Sequence, residues 1–98
     1  GPVTGRVRVV LDPAAGDLEP GEILVCRTTD PGWVSLFHLA AGLAIDIGGQ
    51  MSHGAIVARE LGIPCVIGTG DGTRRLRTGD LVSLDGNTGR VDVVEVAV

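Results

Sequence analysis

Lysine is absent from this chain of 98 residues, and all eight cations are arginine. That excludes the biotin and lipoyl carriers, which attach their cofactor through a lysine amine. Aromatic residues are nearly missing too: only Trp33 and Phe37 occur, so valine, leucine, isoleucine and alanine must supply the core. Cysteine occurs twice, in the apolar runs Ile23-Leu24-Val25-Cys26 and Cys65-Val66-Ile67, where a small buried thiol is the expected state. Nothing else suggests a secreted disulfide scaffold. Positive charge is scarce: the net charge is −4 and the pI near 4.9, which argues against a nucleic-acid partner. The one basic cluster, Arg74-Arg75-Leu76-Arg77, reads as a solvated face or as part of an interface with an anionic ligand or neighbouring domain. No apolar run approaches the roughly 20 residues of a membrane span, and no signal-peptide pattern is seen, so a cytoplasmic location without membrane contact is expected.

What is present suits a globule. The length fits one domain over residues 1–98, and the hydrophobic fraction of 44% supports a packed core. Sixteen glycines imply many tight turns or close backbone approaches. Residues 4–11 alternate, with Val7 and Val9 opposed to Arg6 and Arg8, as in a half-buried strand. Ile23 to Arg27 is a fully buried strand. Thr29 or Asp30 is placed to cap a helix over Trp33–Ala41, with Pro31 in its first turn and Gly42 closing it. Leu43 to Ile47 reads as a strand, His53 to Leu61 as a helix ended by Gly62, and Cys65 to Ile67 as a third buried strand. Leu81–Leu84 and Arg90–Val94 are two late strands joined by a hairpin turn over 85–89. Strand, helix, strand, helix, strand implies right-handed parallel crossovers. The fold class is α/β: a mixed sheet with parallel central strands and an antiparallel outer part.

The chemistry concentrates in residues 48–64, Gly-Gly-Gln-Met-Ser-His-Gly-Ala-Ile-Val-Ala-Arg-Glu-Leu-Gly-Ile-Pro. Gly48 and Gly49 bare the backbone after a buried strand, and a helix starts directly afterwards with Ser52 as its N-cap. Amides at a helix start, together with the positive end of its dipole, suit a phosphate. His53 stands in that first turn, and a neutral imidazole nitrogen is a nucleophile for phosphorus. Ser52 offers a hydroxyl to phosphoryl oxygens or orients the ring, while Gly54 and Ala55 leave the histidine open to large partners. A polar surface residue is the plainer reading of a histidine at a helix start, and turn formation that of a glycine pair.

The whole string resembles the signature of the phosphoenolpyruvate-utilising enzymes. That family includes phosphoenolpyruvate synthase, pyruvate phosphate dikinase, rifampicin phosphotransferase and the first enzyme of the sugar phosphotransferase system. Gly5-Arg6-Val7, Pro20-Gly21-Glu22-Ile23-Leu24-Val25, Thr29-Asp30-Pro31-Gly32-Trp33, Gly62-Ile63-Pro64 and Asp85-Gly86 with Gly89 all resemble family landmarks. The Asp-Pro-Gly-Trp and Ser-His-Gly-Ala pieces look most like the synthase and rifampicin-transferase branch. The resemblance implies the swivelling β/β/α phosphohistidine domain of a larger multidomain enzyme. It implies His53 as the phosphorylated residue, with Ser52, Gly54, Gly49 and Arg59 binding or supporting the phosphate. His53 would take a phosphoryl or pyrophosphoryl group from ATP on an ATP-grasp domain and pass it to pyruvate, or to an antibiotic such as rifampicin, on an acceptor domain. ATP and magnesium would belong to those partner domains, in cis or in trans, and this domain by itself would neither hold a cofactor nor turn over. The threonine that regulates dikinases, two residues before the histidine, is Met51 here, so control through it is closed.

Other residues have plainer readings. His38 is a surface or packing residue. A metal site built from His38, His53, Cys26 and Cys65 has no supporting spacing and is not expected. Thr28 and Thr29 are candidates for contact with the phosphoryl loop, whereas Asp71, Asp80 and Asp85 stand beside glycines as turn residues. The competing reading is a non-catalytic regulatory or interaction module that retains the fold. An independent small hydrolase lacks paired carboxylates or a serine–histidine–acid grouping.

Overall fold

Four short apolar runs pair in parallel because each is separated from the next by a segment that crosses back along the sheet. In a computed structural model that describes residues 2–15, 17–49 and 51–97, these are β1 (Val3–Val9), β2 (Ile23–Cys26), β3 (Gly42–Ile45) and β4 (Cys65–Ile67). Two further strands, β5 (Leu81–Asp85) and β6 (Arg90–Glu95), form the expected hairpin and add antiparallel to β1. The sheet order is β4-β3-β2-β1-β5-β6, so the parallel strands form one continuous block. Among the described residues no helix is long and apolar enough to cross a membrane.

Strand alternation sorts the core into two layers. Leu24 and Cys26 of β2 with Leu43 and Ile45 of β3 meet Trp33, Phe37 and Ala58 on the helical face. Ile23, Val25 and Ala44 point the other way, toward Val7, Val66, Val82 and Leu84. That second layer is closed by the sheet curling on itself. A Cβ on Gly86, just past β5, would stand 3.0 Å from the Cys65 amide nitrogen of β4, so only a bare backbone fits there. The result is the β/β/α layering that the family resemblance implies. Cys26 is buried, Cys65 half-buried, and both are unbridged; burial pushes their thiols up to about 12 and about 11.

The helical face carries α1 (Val34–Phe37) and α2 (His53–Leu61). The latter has the expected bounds, and Gly62 at φ +72° closes it in the left-handed conformation. The helix expected over Trp33–Ala41 is shorter. A 3-10 turn at Pro31–Trp33, capped by Asp30, leads into α1, which ends at Phe37. The chain is drawn off the helix by long-range bonds: the Ala41 amide donates to Glu22 O at 2.9 Å, and Leu39 O accepts from the Gly21 amide. Gly42 does not terminate a helix but opens β3, where a Cβ would press on Val3 and Ile23 at 3.2 Å. The strand expected to run to Ile47 stops at Ile45.

A fourth feature has no counterpart in the sequence reading. A short helix, α3 (Gly72–Arg75), includes part of the basic cluster, whose Arg74, Arg75 and Arg77 are exposed. It is fastened by Asp46, a buried carboxylate directly after β3. Asp46 accepts from Thr69 Oγ1 at 2.7 Å, from Thr73 Oγ1 at 2.6 Å and from the Thr73 amide. Burial pushes this carboxyl up, but the bonds from Thr69, Thr73 and the Gly72 amide outweigh burial and hold it below its ordinary 3.8. A depressed folded value makes the contribution to stability full above the ordinary value and lost as pH falls through the folded one. Asp46→Asn should therefore cost about 1–3 kcal/mol at pH 7 and shrink the loss of stability between neutral and acid pH. Denaturant titrations of both proteins at pH 7 and below pH 4 check this; parallel pH dependences would contradict it.

Candidate functional site

All four parallel strands end on one edge, and in such sheets ligands collect where the loops leave the carboxyl ends. The loop from β3 to α2 is shaped by Gly48, whose φ of +141° is reached readily only without a side chain. A Cβ there would also meet Ser52 Oγ at 2.9 Å. Gly49 is exposed, and its carbonyl accepts from both the Ser52 amide at 3.0 Å and the Ser52 hydroxyl at 2.7 Å. Ser52 does occupy the N-cap position, in an extended conformation, but its side chain makes no capping bond. The expected cap bond is replaced by the backward one to Gly49. The first-turn amides of α2 are thus left uncapped by that side chain, at the positive end of a nine-residue helix.

His53 is the first residue of α2 and is half-buried. Its Nδ1 lies 3.1 Å from Thr29 Oγ1, a contact between the loop after β2 and the start of α2. The Phe37 ring stands behind it, tilted by 41° with centroids 6.3 Å apart. Gly54 makes this approach possible. A Cβ at that position would be 2.5 Å from Ile45 Cδ1 and 2.9 Å from Thr29 Oγ1, inside contact distance of both. Glycine therefore lets the helix start sit on the end of β3 and lets the threonine reach the ring. The imidazole thus meets Thr29 through Nδ1 and the Phe37 ring at 6.3 Å.

The structure brings Gly49, Ser52, His53 and Gly54 together and adds Thr29 as the partner of the ring. Asp30, the neighbouring candidate, caps the 3-10 turn by accepting from the Gly32 amide at 2.8 Å. Arg59 lies elsewhere on α2. With Ala58, Pro64 and the β5–β6 turn it lines a cavity of about 720 Å³, and His53 is not part of that lining. A second cleft of about 540 Å³ includes Thr29, the partner of His53, but not His53 itself. Met51, beside the site, is 82% exposed. His38 is exposed at the end of α1. Among the described residues no three His, Cys, Asp or Glu side chains are grouped to hold a metal ion. The sequence reading did not single out Phe37 or Asp46, since neither stands in a motif; Phe37 reaches His53 only through the packing of α1 against α2.

Comparison with known proteins agrees with this geometry. Residues 18–89 match the family model of the PEP-utilising enzyme, mobile domain. The chain is 48% identical over 94 residues to rifampicin phosphotransferase of Streptomyces sviceus, covering 96% of this chain and 11% of that protein. It is 50% identical over 93 residues to phosphoenolpyruvate synthase of Aeropyrum pernix, covering 93% of this chain and 11% of that protein. It thus spans about a tenth of the length of these relatives. Among solved structures, Enzyme I (nEIt) superposes with a TM-score of 0.68 at 40% identity, over 80% of this chain and 32% of that one. Aconitase X of Thermococcus kodakaraensis superposes with a TM-score of 0.73 at 21% identity, over 97% of this chain and 92% of that one, a likeness of fold alone. A histidine seated at a helix start in a curled mixed sheet, together with a family match over most of its length, identifies this chain as a member of the mobile-domain family of the PEP-utilising enzymes.

Proposed function

We propose that this domain is a phosphoryl carrier: His53 receives a phosphoryl or pyrophosphoryl group from ATP and delivers it to a small-molecule acceptor. The single observation that carries the reading is the contact of His53 Nδ1 with Thr29 Oγ1 at the first turn of α2. In the tautomer with the proton on Nδ1, that nitrogen donates to the threonine oxygen and Nε2 keeps its lone pair. Nε2 attacks a phosphorus of ATP; the N–P bond forms as the P–O bond breaks, and the departing nucleotide keeps the electron pair. In the second half an acceptor oxygen attacks the same phosphorus, and the N–P electrons return to Nε2. If a pyrophosphoryl group was taken, its outer phosphate is lost first: an oxygen of water or of inorganic phosphate attacks that phosphorus and loses its proton to solvent, and the bridge oxygen leaves with the electron pair on the inner phosphoryl group.

The supporting residues act by position. First-turn amides and the dipole of α2 offset the charge of the bound dianion. Ser52, tied to Gly49, fixes the loop, and its hydroxyl can turn to a phosphoryl oxygen only by releasing the Gly49 carbonyl. Gly49 and Gly54 keep the approach open, and Arg59 adds a positive charge further along the same helix. Pyruvate or an antibiotic such as rifampicin is the acceptor class, as the names of the relatives suggest. An ATP-grasp domain supplies ATP with its magnesium, an acceptor domain supplies the other substrate, and the carrier moves between them in the cytoplasm.

Two experiments test this. With its partner domains and ATP labelled in the transferred phosphate, the wild-type protein should take up acid-labile, alkali-stable label, and His53→Ala should take up none. Label persisting in the variant, or never forming beside functional partners, contradicts the carrier reading. Thr29→Val keeps the shape and removes the hydroxyl. Long-range 1H–15N spectra should find Nδ1 protonated in the wild type and a shift toward protonated Nε2 in the variant. Labelling should slow about tenfold, as loss of a bond worth about 1.4 kcal/mol requires. An unchanged tautomer and an unchanged rate would remove Thr29 from the mechanism.

A further inference from the structure

The residues just beyond β1, β2 and β3 enclose the cleft of about 540 Å³ that contains Thr29. Leu11, Trp33 and Ile47 give it apolar walls, Thr28 adds a second hydroxyl beside Thr29, and Arg27 contributes a guanidinium. Two acids also line it, but each closes a local turn: Asp12 accepts from the Ala14 amide at 2.9 Å and Asp30 from the Gly32 amide at 2.8 Å. Arg27 is set apart from most arginines of the chain. Arg6, Arg8, Arg75 and Arg90 each pair with a carboxylate at 2.9–3.9 Å, and Arg59 has a partner of its own. Arg27 is exposed, and among the described residues nothing bonds or pairs with its guanidinium. Arg74 and Arg77 also lack an ion pair, but they lie on or beside α3, outside this cleft.

We propose that this cleft is an anion subsite for the phosphorylated small molecule that reacts at His53, with Arg27 gripping its phosphate oxygens. The inference rests on the carrier reading and extends it to a residue that forms no part of the histidine motif. A guanidinium presents a fixed fork of donors that matches phosphate oxygens two at a time. Thr29 belongs both to the cleft and to the support of His53, so the cleft shares one residue with the histidine site, although His53 itself is not in its lining. In the transfer itself Arg27 neither gains nor loses a proton; it holds charge on the nucleotide side while the N–P bond forms at Nε2.

The test uses the full-length parent polypeptide and measures the initial rate of His53 labelling against ATP concentration, with inorganic pyrophosphate as competing anion. Arg27→Gln should raise the half-saturating ATP about tenfold, the loss of one charge-assisted contact. Arg27→Lys should recover part of it, and pyrophosphate should compete more weakly against Arg27→Gln than against the wild type. The melting temperature should stay unchanged, because the side chain makes no internal bond. Half-saturating ATP and pyrophosphate inhibition both within about twofold of wild type would overturn the subsite. So would slower labelling at saturating ATP with unchanged half-saturation, which points to an acidic residue on the partner surface as what Arg27 meets. Absence of label from the wild type itself would instead remove the carrier reading, and the subsite with it.

Discussion

The site depends on one close approach, that of the first turn of α2 to the ends of β2 and β3. Thr29 leaves β2 and reaches His53 Nδ1 at 3.1 Å, while Gly54 lets the helix backbone settle against Ile45. A Cβ at position 54 would require the Ile45 and Thr29 side chains to shift, and loss of the threonine hydroxyl would remove the polar partner of Nδ1. The orientation of the His53 ring is therefore a consequence of how a helix packs on a parallel sheet.

Around this joint the remaining structure supplies rigidity and access. Asp46 fastens the end of β3 to the loop before α3, using threonine hydroxyls and an amide in place of a cation. Gly48, with its positive φ, turns the chain away from that anchor toward the exposed Gly49 and Met51 and the half-buried His53. Because β1 to β4 run parallel, the loops that follow them leave from one edge, where His53 and the cleft that holds Arg27 share Thr29.

Local elements were legible where the signal is local. α2 was bounded by Ser52 and Gly62, and the β5–β6 hairpin by its Asp-Gly-Asn-Thr-Gly turn. β2 and β4 stood out as apolar runs. What was not legible depends on contacts distant in sequence. The shortening of α1 follows from bonds between residues 39–41 and 21–22, and Gly42 serves the sheet because Val3 and Ile23 lie over it. Ser52 was correctly placed at the cap, but its hydroxyl turned to Gly49, a competition between local acceptors that spacing does not resolve. Thr29 was named only as a candidate for contact with the phosphoryl loop, 24 residues away. Its partnership with His53 appears once the strand order places the ends of β2 and β3 side by side. Asp46 carries no motif, and its role emerges only when residues 69–73 fold back upon it.

The central claim is that Thr29 occupies Nδ1 and thereby leaves Nε2 to carry the phosphoryl group. The direct measurement is 15N and 31P NMR of the phosphorylated, 15N-histidine-labelled protein, in which phosphorus–nitrogen coupling identifies the modified ring atom. The account predicts phosphorus on Nε2 of His53. Phosphorus on Nδ1 would require the bond to Thr29 to be broken, and would contradict it.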